Sequence, residues 1–176
     1  MIKSKIVREI LLSADDLVNS LLVLSEQTNV CILDSCGVSY LDSHLLIAGI
    51  LPVKISEISG ETAGTVLKTF EREISRENLA AIFTISYDFG LKIQKITPRP
   101  KEFLNFDEPD IFLALFDVLV IHDYKTGKTF LTGNEKKFAE IEKTLFDARK
   151  GSEENLQGFN IKSKITSNFT RQEYIY

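Results

Sequence analysis

The chain has 176 residues, of which 44% are hydrophobic and 26% charged, with 9 Gly, 4 Pro and 2 Cys. This balance predicts one globular domain, or one and a fraction, and excludes the disordered, collagen-like and solenoid classes. The formal net charge of -4 has the wrong sign for a protein that follows nucleic acid by neutralising its phosphates, so we expect no nucleic-acid partner.

The sequence predicts neither a secretion signal nor a membrane span. Charged residues, among them Arg8, Glu9 and Asp15, interrupt the apolar N-terminal stretch, so a signal-peptide core does not form there. The most apolar stretches run about ten residues, whereas a spanning helix needs roughly 20. We therefore expect a cytoplasmic location, in which Cys31 and Cys36 stay reduced and act as small buried side chains, a disulfide being the less favoured alternative.

Strands and helices alternate in the first half of the chain. The apolar run that ends at Leu12 is followed by Ser13 and two aspartates, which predicts a strand and then a capped helix. Between the next two strands lies the polar stretch DSCGVSYLDS, the first candidate for a site. The elements expected are strands over residues 6–12, 28–33, 44–54 and 79–86, and helices over residues 15–26 and 62–74.

In the second half, the alternation of Leu91, Ile93 and Ile96 with polar residues after Gly90 predicts a further extended piece that ends before Pro98. The long apolar strand IFLALFDVLVIHDY, the turn Lys125-Thr126-Gly127 and the strand KTFLTG together predict a hairpin, in which Gly127 supplies a positive φ. A surface helix is expected over residues 134–149. The segment FNIKSKI then alternates with period two, which is typical of an edge strand.

These elements favour an α+β fold, with a mainly antiparallel, sandwich-like β-sheet and amphipathic helices packed on it. We divide the chain into a domain over residues 1–150, a linker over residues 151–158, and the start of a second, truncated domain over residues 159–176. The last of these rests on Thr170 and Glu173, which fit a capping box at a helix start close to the last residue given. The alternative is a frayed tail of a complete protein.

The residues alone do not predict catalysis or a metal site. His44 and His122 are far apart in sequence, and neither has the neighbours that a zinc site or a nucleophilic triad requires. We expect His122 to be a partly exposed strand residue. Gly60 and Gly64 precede a helix without forming a dinucleotide or phosphate-loop motif, so an ordinary turn and cap is the better interpretation.

Three segments, in this order, resemble the N-terminal domain of the chorismate-utilising enzymes, the large components of aminodeoxychorismate synthase and anthranilate synthase. They are VCILDS with SHLLIAGILP, ISYDFG and ALFDVLVIHDYKTGKTFL. A fourth segment, SNFTRQEY, is similar to the opening of the family's chorismate-binding domain. Departures include His44 and Leu45, which stand where an Arg and an aromatic residue are common in the family.

The resemblance implies a pocket for tryptophan around the turn after the first of these strands. Carried over by position, its ligand-binding residues are Leu33, Asp34, Ser35 and Ser43. The family's catalytic residues and its magnesium ion belong to the chorismate-binding domain, so we expect neither catalytic nor metal-binding residues in this chain.

The resemblance therefore implies a scaffold or regulatory domain of an enzyme that makes 4-amino-4-deoxychorismate from chorismate and glutamine-derived ammonia, for folate synthesis. The expected partners are the chorismate-binding domain of the same protein, a glutamine amidotransferase and tryptophan. One alternative is the anthranilate branch of the family. The other is a free-standing module that binds a small ligand or a protein.

Overall fold

The computed structural model describes residues 6–38, 43–75, 78–96 and 108–155, with side chains described up to residue 150. Within these ranges the chain forms eight strands and four α-helices. The strands are β1 (Val7–Ile10), β2 (Val30–Asp34), β3 (Leu45–Ile50), β4 (Lys54–Ile58), β5 (Ala80–Ile85), β6 (Ile111–Phe116), β7 (Val118–Asp123) and β8 (Lys128–Gly133). The helices are α1 (Ala14–Ser25), α2 (Ala63–Ile74), α3 (Tyr87–Ile93) and α4 (Phe138–Asn155).

The strands form two antiparallel sheets, which confirms the α+β class expected from the sequence. Sheet A has five strands in the order β1-β8-β7-β3-β2, and sheet B has three in the order β4-β6-β5. Helices α1 and α4 pack on one face of sheet A, and α2 and α3 pack on one face of sheet B. The two sheets meet through a third cluster of apolar side chains around Phe116. The layers thus run helices, sheet A, sheet B, helices.

Two strands that the sequence predicted as continuous each divide between the sheets. The predicted strand over residues 44–54 breaks at Leu51, where φ is +52° and Pro52 follows, so β3 lies in sheet A and β4 in sheet B. The stretch IFLALFDVLVIHDY breaks at Asp117, between β6 of sheet B and β7 of sheet A. The Asp117 carbonyl accepts a hydrogen bond of 2.9 Å from the Asn134 amide, which holds that corner.

The extended piece predicted after Gly90 is wrong, because this segment belongs to helix α3. The Ser86 side chain accepts a hydrogen bond of 3.1 Å from the Phe89 amide and caps the helix. Phe89 is buried against sheet B, while Ile93 is about half exposed. The cap at Ser86 and the burial of Phe89 therefore favour a short helix over the strand that the alternation suggested.

Most other local predictions are confirmed. Ser13 caps α1 and Thr62 caps α2 through their side chains. The β7–β8 hairpin forms with Gly127 at φ +67°. Helix α4 continues to Asn155, so its last residues occupy the first part of the segment predicted as a linker. The remaining linker residues, the predicted edge strand 159–165 and the capping box near Thr170 lie outside the described residues.

A Cβ at Gly49 would lie 2.6 Å from the ring of Phe116, which is fully buried where the two sheets meet. We expect Gly49→Ala to lower the free energy of unfolding by about 1–3 kcal/mol through overpacking, measured by urea denaturation. Gly90→Ala is the matched control, because a Cβ at that helical position meets nothing within 4 Å and should raise stability by about 0.5–1 kcal/mol. Equal stability of Gly49→Ala and the unaltered chain would contradict this packing.

Candidate functional site

An open cleft of about 450 Å³ lies at one end of sheet A, where β2 ends and β3 begins. The two strands are antiparallel, and Leu33 pairs with Ile47. The end of β2 and the start of β3 therefore meet at the same end of the sheet. The lining residues are Leu33, Asp34, Ser35, Ser43, His44, Leu45 and Ile47.

All four residues that the resemblance assigned to a pocket are thus brought together in one cleft. Three other lining residues, His44, Leu45 and Ile47, were not assigned to it. The period-two pattern of β3 is the signal that could have found two of them, because Leu45 and Ile47 share the sheet face of Leu33 once the register is known. Leu33, Leu45 and Ile47 form the apolar wall of the cleft, and the Leu33 side chain is 51% exposed.

Asp34 stabilises the turn at the cleft's edge. Its carboxylate accepts hydrogen bonds from the Cys36 amide at 2.7 Å and from the Tyr124 phenol at 2.9 Å. The Tyr124 ring packs against the core between sheet A and its helices. Asp34 therefore joins the turn after β2 to the end of β7.

Ser35 differs from Asp34 in having unused hydrogen-bonding capacity. Its amide donates to the Leu45 carbonyl at 3.2 Å, which continues the β2–β3 ladder by one residue. Its hydroxyl oxygen is buried and has no hydrogen-bond partner among the residues that the structure describes. A buried polar atom without a partner is costly, so the site gains when a ligand or water supplies one.

The rim of the cleft carries His44, whose Nε2 lies 3.9 Å from Oδ1 of Asp123. The Asp123 carboxylate also accepts hydrogen bonds from the Lys125 amide and the Thr126 hydroxyl, at 2.9 and 3.0 Å. Burial alone would raise the pKa of Asp123, but these hydrogen bonds and the nearby His44 lower it overall. Asp123 therefore stays ionised and stabilises the turn that borders the cleft.

Two sequence predictions about titratable residues are wrong. His122 is not partly exposed but buried, because it shares the β7 face of the core residues Val118 and Val120. Its Nδ1 lies 2.8 Å from the Thr129 hydroxyl oxygen, which donates to the Leu12 carbonyl. Cys36 is not buried, because it lies in the exposed turn after β2 with φ +52°. Cys31, the cross-strand partner of Gly49, is partly buried between the sheets.

Within the part of the chain that the structure describes, no three His, Cys, Asp or Glu side chains converge on a possible metal position. In the same part, no helix has the length and apolarity needed to cross a bilayer. A comparison with protein-family models gives no match, and a search of curated proteins gives no significant one.

Burial and the hydrogen bond to Asp34 raise the pKa of Tyr124 to about 12. The folded protein thus favours the neutral phenol, so this contribution to stability is complete below pH 10 and is lost as the pH rises through 12. In a titration of tyrosinate absorbance on the folded chain, we expect one late component near pH 12 that Tyr124→Phe removes and Asp34→Asn moves toward pH 10. The control variant Tyr87→Phe removes an exposed phenol and should leave the late component in place. A single transition near pH 10 in the unaltered chain would contradict the Asp34–Tyr124 contact.

Burial raises the pKa of the Cys31 thiol, whereas Cys36 is exposed. We expect iodoacetamide at pH 8 to alkylate Cys36 at least about tenfold faster than Cys31, because alkylation requires an accessible thiolate. Mass spectrometry of the native chain would measure both rates, with Cys36→Ser removing the fast site and Cys31→Ser retaining it. Equal rates would place Cys31 outside the sheet interface.

Proposed function

We propose that this chain is the N-terminal domain of the large component of a chorismate-aminating enzyme, of the aminodeoxychorismate synthase branch rather than the anthranilate synthase branch. The proposal rests on the resemblance of the four segments. The observation that carries it further is the convergence of Leu33, Asp34, Ser35 and Ser43 on one cleft, although seven residues lie between Ser35 and Ser43 along the chain.

In this proposal the domain is not catalytic by itself. The complete enzyme adds ammonia from a glutamine amidotransferase to chorismate, with magnesium on the substrate carboxylate in the chorismate-binding domain. The present chain supports that domain and holds a tryptophan-like ligand in its cleft.

The dimensions and chemistry of the cleft suit an aromatic amino acid. A volume of about 450 Å³ lies within the range of small-molecule sites. Leu33, Leu45 and Ile47 supply an apolar wall for a ring, and the free Ser35 hydroxyl supplies a hydrogen-bonding group for an amino or carboxylate group. Together these features support one bound amino acid, oriented with its ring on β3.

Exposed apolar side chains on sheet B support a partner domain. Strand β5 lies at the edge of that sheet, and its residues Phe83 and Ile85 are 43% and 53% exposed. Exposed apolar residues on an edge strand favour contact with another chain or domain. The chorismate-binding domain is the partner that the proposed function supplies.

The test of the function is an assay on the natural reading frame that contains this sequence. That frame is expressed with a glutamine amidotransferase and supplied with chorismate, glutamine and magnesium. We expect 4-amino-4-deoxychorismate as the product, and anthranilate would instead assign the other branch. A natural reading frame without a chorismate-binding domain would overturn the proposal and favour the free-standing binding module.

Ser35→Ala separates a ligand-binding role from a structural one. Because the Ser35 hydroxyl has no hydrogen-bond partner among the residues described, we expect the free energy of unfolding to stay unchanged or to rise slightly. The affinity for L-tryptophan, measured by calorimetry, should fall about tenfold through the loss of one hydrogen bond. Ser75→Ala, at the end of α2, is the control and should bind as the unaltered chain does. A loss of several kcal/mol of stability in Ser35→Ala would mean that this hydroxyl has a structural partner.

A further inference from the structure

Tyr124, which follows β7, is bonded to two residues that line the cleft. On the β2 side its phenol donates to the Asp34 carboxylate at 2.9 Å. Its ring also lies against the turn after β2, because a Cβ at Gly37 would come within 3.3 Å of the ring. On the β3 side its amide donates to the His44 carbonyl at 2.8 Å. The placement of Tyr124 therefore helps to set the distance between the two sides of the cleft.

The Tyr124 ring also contacts the buried side chain of His122. The two ring centroids are 5.0 Å apart and the ring planes meet at 72°, which is an edge-to-face arrangement. His122 is 3% exposed and lies on the face of β7 that packs on the core of sheet A and its helices. This contact links the cleft to that core.

The hydrogen bonds of Thr129 determine which ring nitrogen of His122 carries the proton. Thr129 is fully buried, and its hydroxyl donates to the Leu12 carbonyl, which can only accept. A hydroxyl has one proton, so toward Nδ1 of His122, 2.8 Å away, the Thr129 oxygen can act only as an acceptor. Nδ1 must then carry a proton, and in a neutral imidazole Nε2 carries none.

We propose that His122, as its Nδ1–H tautomer, is a positioning residue for the cleft, because it holds the Tyr124 ring where that residue joins the two sides. The series of contacts begins at the Leu12 carbonyl, just before the cap of α1, and ends at the turn after β2. A half-turn of the imidazole would place a ring carbon opposite the Thr129 hydroxyl and lose a buried hydrogen bond. The tautomer therefore fixes which atoms of the ring face Tyr124.

This inference concerns the shape of the cleft and applies to any ligand, so it does not depend on the proposed function. Its consequence is that buried side chains in the core of sheet A, and not the lining residues alone, determine that shape. A change at Thr129 should therefore be detected at the turn after β2.

The tautomer is tested by ¹⁵N NMR of the histidine rings in the full 176-residue chain at pH 8. We expect His122 to show a protonated Nδ1 and an unprotonated Nε2. The chain has two histidines, so His44→Gln leaves only the signals of His122 and assigns them. A proton on Nε2 at this pH, with or without one on Nδ1, would overturn the inference.

The positioning role is tested by Thr129→Val, which removes the acceptor of His122 and keeps the shape of the side chain. We expect the late tyrosinate component of Tyr124 to move from about pH 12 toward pH 10. The Cys36 amide, which donates to Asp34, should exchange its hydrogen at least about tenfold faster. Thr129→Ser retains the hydroxyl and should restore both values.

Thr132→Val is the matched control, because Thr132 lies on the same strand and faces the other side of sheet A. It should leave the late tyrosinate component and the exchange of the Cys36 amide unchanged. Unchanged values in Thr129→Val would overturn the inference. So would an equal gain in exchange at the Val120 amide of the inner strand β7, which would mean that Thr129 stabilises the whole sheet rather than Tyr124.

Discussion

The packing of Phe116 against Gly49 is the constraint on which the two-sheet arrangement depends. Phe116 ends β6 in sheet B, and Gly49 lies within β3 of sheet A, where the absence of a side chain admits the aromatic ring. The chain crosses between the sheets close to this contact, at Leu51 and at Asp117. Because β3 also carries Leu45 and Ile47, the strand that contacts the Phe116 ring at Gly49 also contributes to the apolar wall of the cleft.

Asp34 and Ser35, at the turn after β2, differ in their hydrogen bonds. Asp34 is occupied by Tyr124 and by the Cys36 amide, so it holds the turn in place. The Ser35 hydroxyl, one residue later, is buried and has no hydrogen-bond partner within the described part of the chain. A cleft whose frame is hydrogen-bonded, and whose lining keeps one free polar group, is pre-organised for a small ligand.

The sequence by itself determined the local features of this protein. Helix starts at Ser13 and Thr62 and the turn at Gly127 were predictable, because caps and turns depend on residues within one turn of each other. The resemblance also identified four cleft residues. The sequence could not show to which sheet each strand belongs, since side chains alternate with period two in both sheets.

Only the tertiary structure decided those non-local features. It divided residues 44–54 and the stretch around Asp117 between two sheets, buried His122 beside Thr129, and made a helix after Ser86 where alternation suggested a strand. In each case the deciding contact joins segments that are distant in the chain or lie in different layers. Ser35 and Ser43 share a cleft for the same reason, because the hydrogen-bond ladder between β2 and β3 brings their ends together.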